Sequence, residues 1–233
     1  MLDVVARYAP VVNKIKKYPP KDKKIVEIGG TGEGLGFYLP NYQIYDCDIR
    51  FVENLLPNTN PVKGRGEKIP LPDNFAEIIV SVDTLEHLPT FRKRTQMIKE
   101  MIRVAARLVI LAVPTGTKSK QAIEKFGQLF KAKYPNIDYQ YLNEHLKYQP
   151  PENGEIIKTI KEAGIPVRVS IKKNTNIKVW LLFQRFYLRF PKLYLIFRYR
   201  RFWYHLLKPV FPLLNQGETL RTIFFVQLEK TGR

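Results

Sequence analysis

Asp83, Glu86 and His87 fall within one short stretch in the order D-x-x-E-H. A carboxylate beside an imidazole is a proton-transfer pair, because the imidazole changes charge near neutral pH and the carboxylate steadies it. The same donor types suit a divalent ion. However, the three histidines, His87, His145 and His205, stand far apart in the chain, so a His-rich metal centre is not expected. His145 lies in YLNEHLKYQPP, residues 141–151, and is the second candidate for a base or an acceptor-positioning group. Glu86 is grouped with them. The alternative is structural, with His87 bonding a neighbouring loop and His145 bracing a lid.

A binding site of another kind is written at residues 24–36, KIVEIGGTGEGLG. Residues 24–27 read as the end of a buried strand, and a short helix begins near Leu35. Gly29, Gly30, Gly32, Gly34 and Gly36 allow positive φ and close approach of a ligand to the backbone. N–H groups at the helix start favour a carboxylate or another anion. Glu27, at the strand end, suits a cationic or hydroxyl-rich ligand and repels a pyrophosphate, and the spacing fits G-x-G-x-x-G only loosely. About 20 residues beyond the loop, where a ribose is gripped, a second strand over 42–47 ends at Asp48. A carboxylate there accepts both ribose hydroxyls. Asp46 is the fallback, and the alternative is an aspartate that caps a helix near residues 51–55.

Residues 66–89, GEKIPLPDNFAEIIVSVDTLEHLP, contain an apolar run at 77–82 that reads as a buried central strand. The glycine stretch resembles the first motif of class I S-adenosylmethionine-dependent methyltransferases, an acidic residue followed by G-x-G-x-G. Glu27 and Gly29 match it, while Thr31 stands where the second glycine is usual and Gly32 follows one place later. The 66–89 block resembles the same enzymes' LP-x-PD-x-x-FD-x-V strand and LEH-x-P segment, through Ile69, Pro70, Leu71, Pro72, Asp73, Phe75, Leu85, Glu86, His87 and Pro89. His145, Leu146, Tyr148 and Pro151 resemble their substrate-facing H-L-x-Y-x-x-P segment.

The likeness covers roughly residues 20–170 and the final strand. It implies S-adenosylmethionine as cofactor, with Glu27, Gly29, Gly30, Gly32, Asp48 and Asp83 as its binding residues and Glu86, His87 and His145 as the catalytic set. Arg65 replaces an aspartate that such enzymes often hold near the adenine. In a branch acting on quinone precursors, E-x-x-E-H at this place holds a divalent ion. Asp83 shortens the first of those ligands, many relatives carry L-E-H without metal, and none is assigned here.

The rest of the chain must position these groups. Leu2, Val5, Tyr8, Val12 and Ile15 have helical spacing over 2–17, and Pro19 and Pro20 end that helix. Helices are expected over 90–106, 121–133 and 155–163, and strands over 107–113, 167–171 and 219–228. The alternation predicts an α/β, Rossmann-like, mostly parallel seven-stranded sheet with helices on both faces, its last strand antiparallel. Residues 1–171 and 218–233 form the methyltransferase-like domain. Residues 172–217 form a helical insertion.

The formal net charge is +18 over 233 residues, which calls for an anionic partner or else a solvated Lys-rich surface. No acid occurs between Glu162 and Glu218, whereas that gap holds both tryptophans, Trp180 and Trp203, with many Phe, Tyr, Arg and Lys residues. Such helices suit the plane of an anionic membrane. They suit single-stranded nucleic acid less well, because the runs VWLLF and LYLIF do little for a phosphate backbone. A cap packed on the domain or on a second subunit is the plain alternative.

The single cysteine, Cys47, excludes a disulfide framework, and no run reaches the about 18 apolar residues of a membrane span. Residues 1–17 lack the continuous apolar core of a signal peptide, so a cytoplasmic address is expected, with peripheral attachment at the inner membrane surface. The expected reaction is O-methylation of a small, lipid-linked or amphiphilic acceptor. RNA methylation is the runner-up, and a binding protein on a degenerate scaffold is the reading from another class.

Overall fold

The computed structural model describes residues 2–192 and 200–229. The expected LYLIF run, and with it Tyr194, Phe197, Arg198 and Tyr199, lies outside the described residues. The strands are β1 (Lys24–Ile28), β2 (Gln43–Asp48), β3 (Thr59–Lys63), β4 (Ala76–Val82), β5 (Ala105–Pro114), β6 (Val167–Asn176) and β7 (Thr219–Leu228). The helices are α1 (Leu2–Lys17), α2 (Phe91–Val104), α3 (Gly116–Lys133), α4 (Gln140–Lys147), α5 (Asn153–Lys161), α6 (Ile177–Arg189), α7 (Arg200–Leu207) and α8 (Phe211–Leu214).

The strands form one sheet in the order β3-β2-β1-β4-β5-β7-β6. The first five are parallel, and β7 runs antiparallel between β5 and β6. This is the expected Rossmann-like sheet.

Both faces of the sheet are covered, which is why the central strands are apolar without alternation. On one face Val5, Val12 and Ile15 of α1 join Ile25, Ile78, Ile110 and Ile223, with Tyr204 and Phe211 from α7 and α8. On the other, Met97 and Met101 of α2 and Ile160 of α5 cover Val26, Ile79, Val109 and Phe224. Helix α2 begins where the Thr90 side chain accepts the Lys93 N–H, an N-cap.

The structure departs from the sequence expectations at four places. Strand β3, TNPVK, was not anticipated. It is a polar edge strand, and Pro61 is tolerated because an edge need not donate outward. Strand β6 continues past residue 171 to Asn176, since Lys172–Asn174 and Asn176 keep their pairing with β7, so the helical insertion begins at Ile177 rather than at 172. The buried Asn174 side chain fixes this extension by donating to the Ala6 carbonyl and to Asn215 Oδ1. The helix expected after the glycine turn shrinks to a single 3-10 turn at Leu35–Phe37, and no helix forms over 51–55.

Candidate active site

The carboxyl ends of the parallel strands open into a cavity of about 700 Å³, the place where open α/β sheets bind ligands. Gly29, Gly30 and Thr31 line it from the turn after β1, Asp48 from the end of β2, Arg65 from beyond β3, and Asp83 and His87 from beyond β4. His145 of α4 and Trp180 of α6 complete the far wall.

The turn is built on two carboxylates beneath it. Asp46 accepts the Gly30 N–H at 3.1 Å and the Gly32 N–H at 2.6 Å. Glu27 accepts the Leu35 N–H at 2.7 Å and the Tyr8 hydroxyl at 2.8 Å. A Cβ on Gly34 would stand 2.2 Å from both Glu27 carboxylate oxygens, and one on Gly30 would stand 2.6 Å from Asp46 Oδ2, so neither position admits a side chain. The displaced glycine of the motif also has a cause: Thr31 and Gly32 both take positive φ, 55° and 86°, and so absorb the extra residue.

Glu27 and Asp46 are both 1% exposed and line no part of the cavity, and Gly32 likewise lies off its wall. The expectation that Glu27 faces a ligand, and that the Leu35 N–H is free for one, is therefore corrected: each is spent on the other. Burial, then the charge of Asp46, pushes the Glu27 carboxyl up to about 8, and burial pushes Asp46 up to about 6 against the N–H groups of Gly32 and Gly30. Asp48 does line the cavity, and one of its oxygens accepts the Arg50 N–H at 3.1 Å. The donor set fits the implied cofactor, with close backbone at Gly29–Thr31 and a carboxylate at Asp48 to receive the ribose hydroxyls.

Asp83 has positive φ (51°) and is held between two arginines that sequence reasoning missed. Arg221 Nε donates to its two oxygens at 2.7 and 2.8 Å, and Arg7 Nη1 donates at 2.9 Å. Arg221 also donates to Asp3 at 2.9 and 3.2 Å. Burial would raise the Asp83 carboxyl, but Arg221 first and then Arg7 overcome it and hold it well below the usual carboxylate range. Asp83 is thus a permanent anion whose partners come from α1 and β7, and nothing near it in the sequence announces them.

The two E-H dipeptides of the chain meet here. His87 Nδ1 and Glu144 Oε2 lie 2.8 Å apart, and the rings of His87 and His145 have centroids 4.6 Å apart. Glu86, His87 and His145, separated along the chain, bring ligand-capable atoms within 4.8 Å of one another. Burial lowers both imidazoles, His87 against the opposing charge of Glu144, and His145 to about 4 with His87 adding to the effect. His145 is therefore neutral at pH 7, and burial favours the neutral form of His87. Glu144 was missed, although its place in a second E-H dipeptide was the available signal.

Beyond the histidines the wall turns apolar. Ile123, Leu142, Trp180 and Leu220 form a small core of their own, flanked by Phe126, and all five face the cavity. The insertion is fastened to the glycine turn by Arg200, which donates to the Glu33 carbonyl and, at 3.2 Å, to Glu33 Oε2, with its guanidinium 4.6 Å above the Phe37 ring.

The buried carboxylates beneath the turn give a pH signature. Between the ordinary carboxylate range and about 8 the folded chain holds a proton on Glu27 that the unfolded chain has lost, so this group makes stability fall as pH rises through that window. Thermal unfolding of the ligand-free protein from pH 5 to 8.5 is expected to show that decline. Glu27→Gln, which cannot ionise, is expected to flatten it; identical slopes for parent and variant would contradict the assignment.

Residues 29–113 match the family model described as a methyltransferase domain. Comparison with curated proteins returns no match. Among solved structures, a SAM-dependent methyltransferase of Thermotoga maritima is 14% identical with a TM-score of 0.53, over 98% of this chain and 92% of that one. Magnesium protoporphyrin IX methyltransferase of Synechocystis, with bound SAH, is 14% identical with a TM-score of 0.54, over 97% of this chain and 85% of that one. Phosphoethanolamine N-methyltransferase 2 of Haemonchus contortus, in complex with phosphomonomethylethanolamine and S-adenosylhomocysteine, is 14% identical with a TM-score of 0.56, over 96% of this chain and 53% of that one. At such identities the three structures speak to the fold, while the matched model covers the glycine turn, Asp48 and the LEH segment. Residues 29–113 thus match a methyltransferase domain, and the chain shares the fold of solved S-adenosylmethionine-dependent methyltransferases.

Proposed function

We propose that the chain methylates a hydroxyl oxygen on an apolar, lipid-linked or otherwise amphiphilic acceptor, working as a cytoplasmic protein at an anionic inner membrane surface. The observation that carries this reading is the composition of the cavity beyond the cofactor turn. Imidazoles there adjoin an apolar wall that the insertion helps to build.

S-adenosylmethionine, held by the backbone at Gly29–Thr31 and by Asp48, supplies an electrophilic methyl group. The protein's own contribution is alignment and a route for the acceptor proton. The apolar wall of Ile123, Phe126, Leu142, Trp180 and Leu220 orients the acceptor and keeps water from competing. The acceptor hydroxyl then meets the cluster of His87 and His145. Glu144 fixes the Nδ1 side of His87, so its other ring nitrogen is the one presented to a partner. Asp83, locked by Arg7 and Arg221, takes no part in proton traffic.

The outer surface of the insertion supports the membrane part of the reading. On α6 the exposed residues Leu182, Arg185, Phe186 and Arg189 recur at helical spacing on one face, and exposed Phe190 follows at the C-cap. Helix α7 repeats the pattern with Arg201, Phe202, His205 and Leu206, and Leu213 of α8 is 65% exposed. Among the described residues no helix is long and apolar enough to cross a membrane. A basic, aromatic face of this kind suits the interfacial plane.

Two assays test the reading. With methyl-labelled S-adenosylmethionine and prenylated phenols as probe acceptors, label is expected in an alkali-stable ether, and His87→Ala is expected to slow its formation about 100-fold or more. Label appearing in RNA or on an amine instead would overturn the oxygen-acceptor reading. In cosedimentation, the protein is expected to bind phosphatidylglycerol vesicles at moderate salt and not phosphatidylcholine vesicles, with Phe202→Ser/Leu206→Ser weakening the binding. Indifference to anionic vesicles would remove the membrane from the proposal.

A further inference from the structure

The face where α1 meets α7 collects cations that the cofactor cavity does not use. Arg201 and His205 stand one turn apart on α7, and Lys208 follows the helix end, so the three share one exposed face. Lys16 of α1 reaches toward them, its Nζ 4.7 Å from the centre of the Tyr204 ring. Tyr204 is buried beneath, its hydroxyl donating to Asn13 Oδ1 at 2.6 Å and its ring 5.1 Å from that of His205. Tyr204 therefore anchors α7 on α1 and fixes the spacing of the four side chains.

Like charges one helical turn apart repel, and here no acid relieves them. Among the described residues none of the four forms an ion pair, whereas the neighbouring Arg200 is paired with Glu33. Burial, then Lys208 and Arg201, lower the proton affinity of Lys16; burial, then Lys16, Arg201 and Lys208, lower that of His205. No carboxylate offsets either shift. The cluster is thus complementary to an anion from outside the chain. Beside it lies an apolar edge. Phe202 and Leu206, 60% and 52% exposed, occupy the adjoining face of α7. A soluble anion has no use for that edge, whereas a lipid whose phosphate enters the cluster lays its acyl chains along it. Nucleic acid is the poorer match, because aliphatic surface does little for a phosphate backbone.

We propose that Lys16, Arg201, His205 and Lys208 form a binding site for the phosphomonoester headgroup of a membrane lipid, with Phe202 and Leu206 entering the acyl region beside it. A monoester phosphate gathers up to about two charges and three acceptor oxygens on one group. That matches three cations and an imidazole better than a singly charged diester does. Arg201 supplies a planar fork of donors and the lysines supply compact point charges. The inference rests on the membrane part of the proposed function and names the lipid that this surface takes. Arg200, the residue before Arg201, lines the cavity and clasps the glycine turn, so a lipid held here keeps the cofactor cavity close to the bilayer.

The test is cosedimentation of the full chain with phosphatidic acid and phosphatidylglycerol vesicles matched in surface charge. Phosphatidic acid is expected to bind about tenfold or more tightly than phosphatidylglycerol. Lys16→Gln/Arg201→Gln/Lys208→Gln is expected to abolish that preference, each single change weakening phosphatidic acid about fivefold. Lys125→Gln/Lys131→Gln/Lys133→Gln removes the same charge from α3 and is expected to leave the preference intact. All six side chains are exposed, so the circular dichroism of both variants is expected to match the parent. Equal affinity for the two lipids, or a preference that survives the Lys16, Arg201 and Lys208 changes, overturns the headgroup site and leaves the membrane reading standing. Binding to neither lipid overturns both. Release from phosphatidic acid by stoichiometric single-stranded RNA, or by micromolar glycerol 3-phosphate, assigns the cluster to a different ligand and also overturns the site.

Discussion

The cavity depends on two buried carboxylates, Glu27 and Asp46, that bond upward into the backbone of the glycine turn. Between them they take the N–H groups of Gly30, Gly32 and Leu35 and fill the space where side chains on Gly30 and Gly34 would stand. Placing two acids side by side out of water is unfavourable, and their raised proton affinities record that cost. Stability is exchanged for shape. The turn is held open at the carboxyl end of β1, and the Tyr8 hydroxyl on Glu27 ties α1 into the same assembly.

A second buried electrostatic unit closes the floor. Asp3, Arg7, Asp83 and Arg221 join α1, the end of β4 and β7, elements separated by most of the chain. Two acids and two arginines balance in formal charge, so the unit carries no net charge. A buried pair of this kind is costly to break from one side, because the partner left behind is an unpaired charge. The unit also explains why Asp83, at the end of a strand, tolerates positive φ: its side chain is fixed from two directions.

Much of this was legible in the sequence wherever a local rule sufficed. The apolar runs at 77–82 and 107–113, the helical spacing of residues 2–17 and the alternation of elements gave the sheet and its layers, and the two spaced motifs gave the domain type. Failures came where tertiary pairing overrode local character. Strand β3 is too polar to be seen except as a partner of β2, and β6 extends through KKNTN only because β7 and Asn215 receive it. Within the site, the meeting of Glu86-His87 with Glu144-His145 was invisible to any argument from separation along the chain, as were Arg7 and Arg221 on Asp83.

The direction of the Glu27 side chain was misjudged for a related reason: an acid at a strand end can turn toward a ligand or beneath the loop, and only the packing decides. Here it turns beneath, so Asp48 and the backbone at Gly29–Thr31 are left to meet the cofactor. Calorimetric titration with S-adenosylhomocysteine tests this division of labour most directly. Micromolar binding to the parent is expected, weakened at least tenfold by Asp48→Ala, which removes a contact, and also by Gly34→Ala, which forces the turn away from Glu27 without touching the ligand. No binding to a parent chain shown to be folded by circular dichroism would contradict the cofactor site, and unchanged binding in Gly34→Ala would contradict the role given to the buried carboxylates.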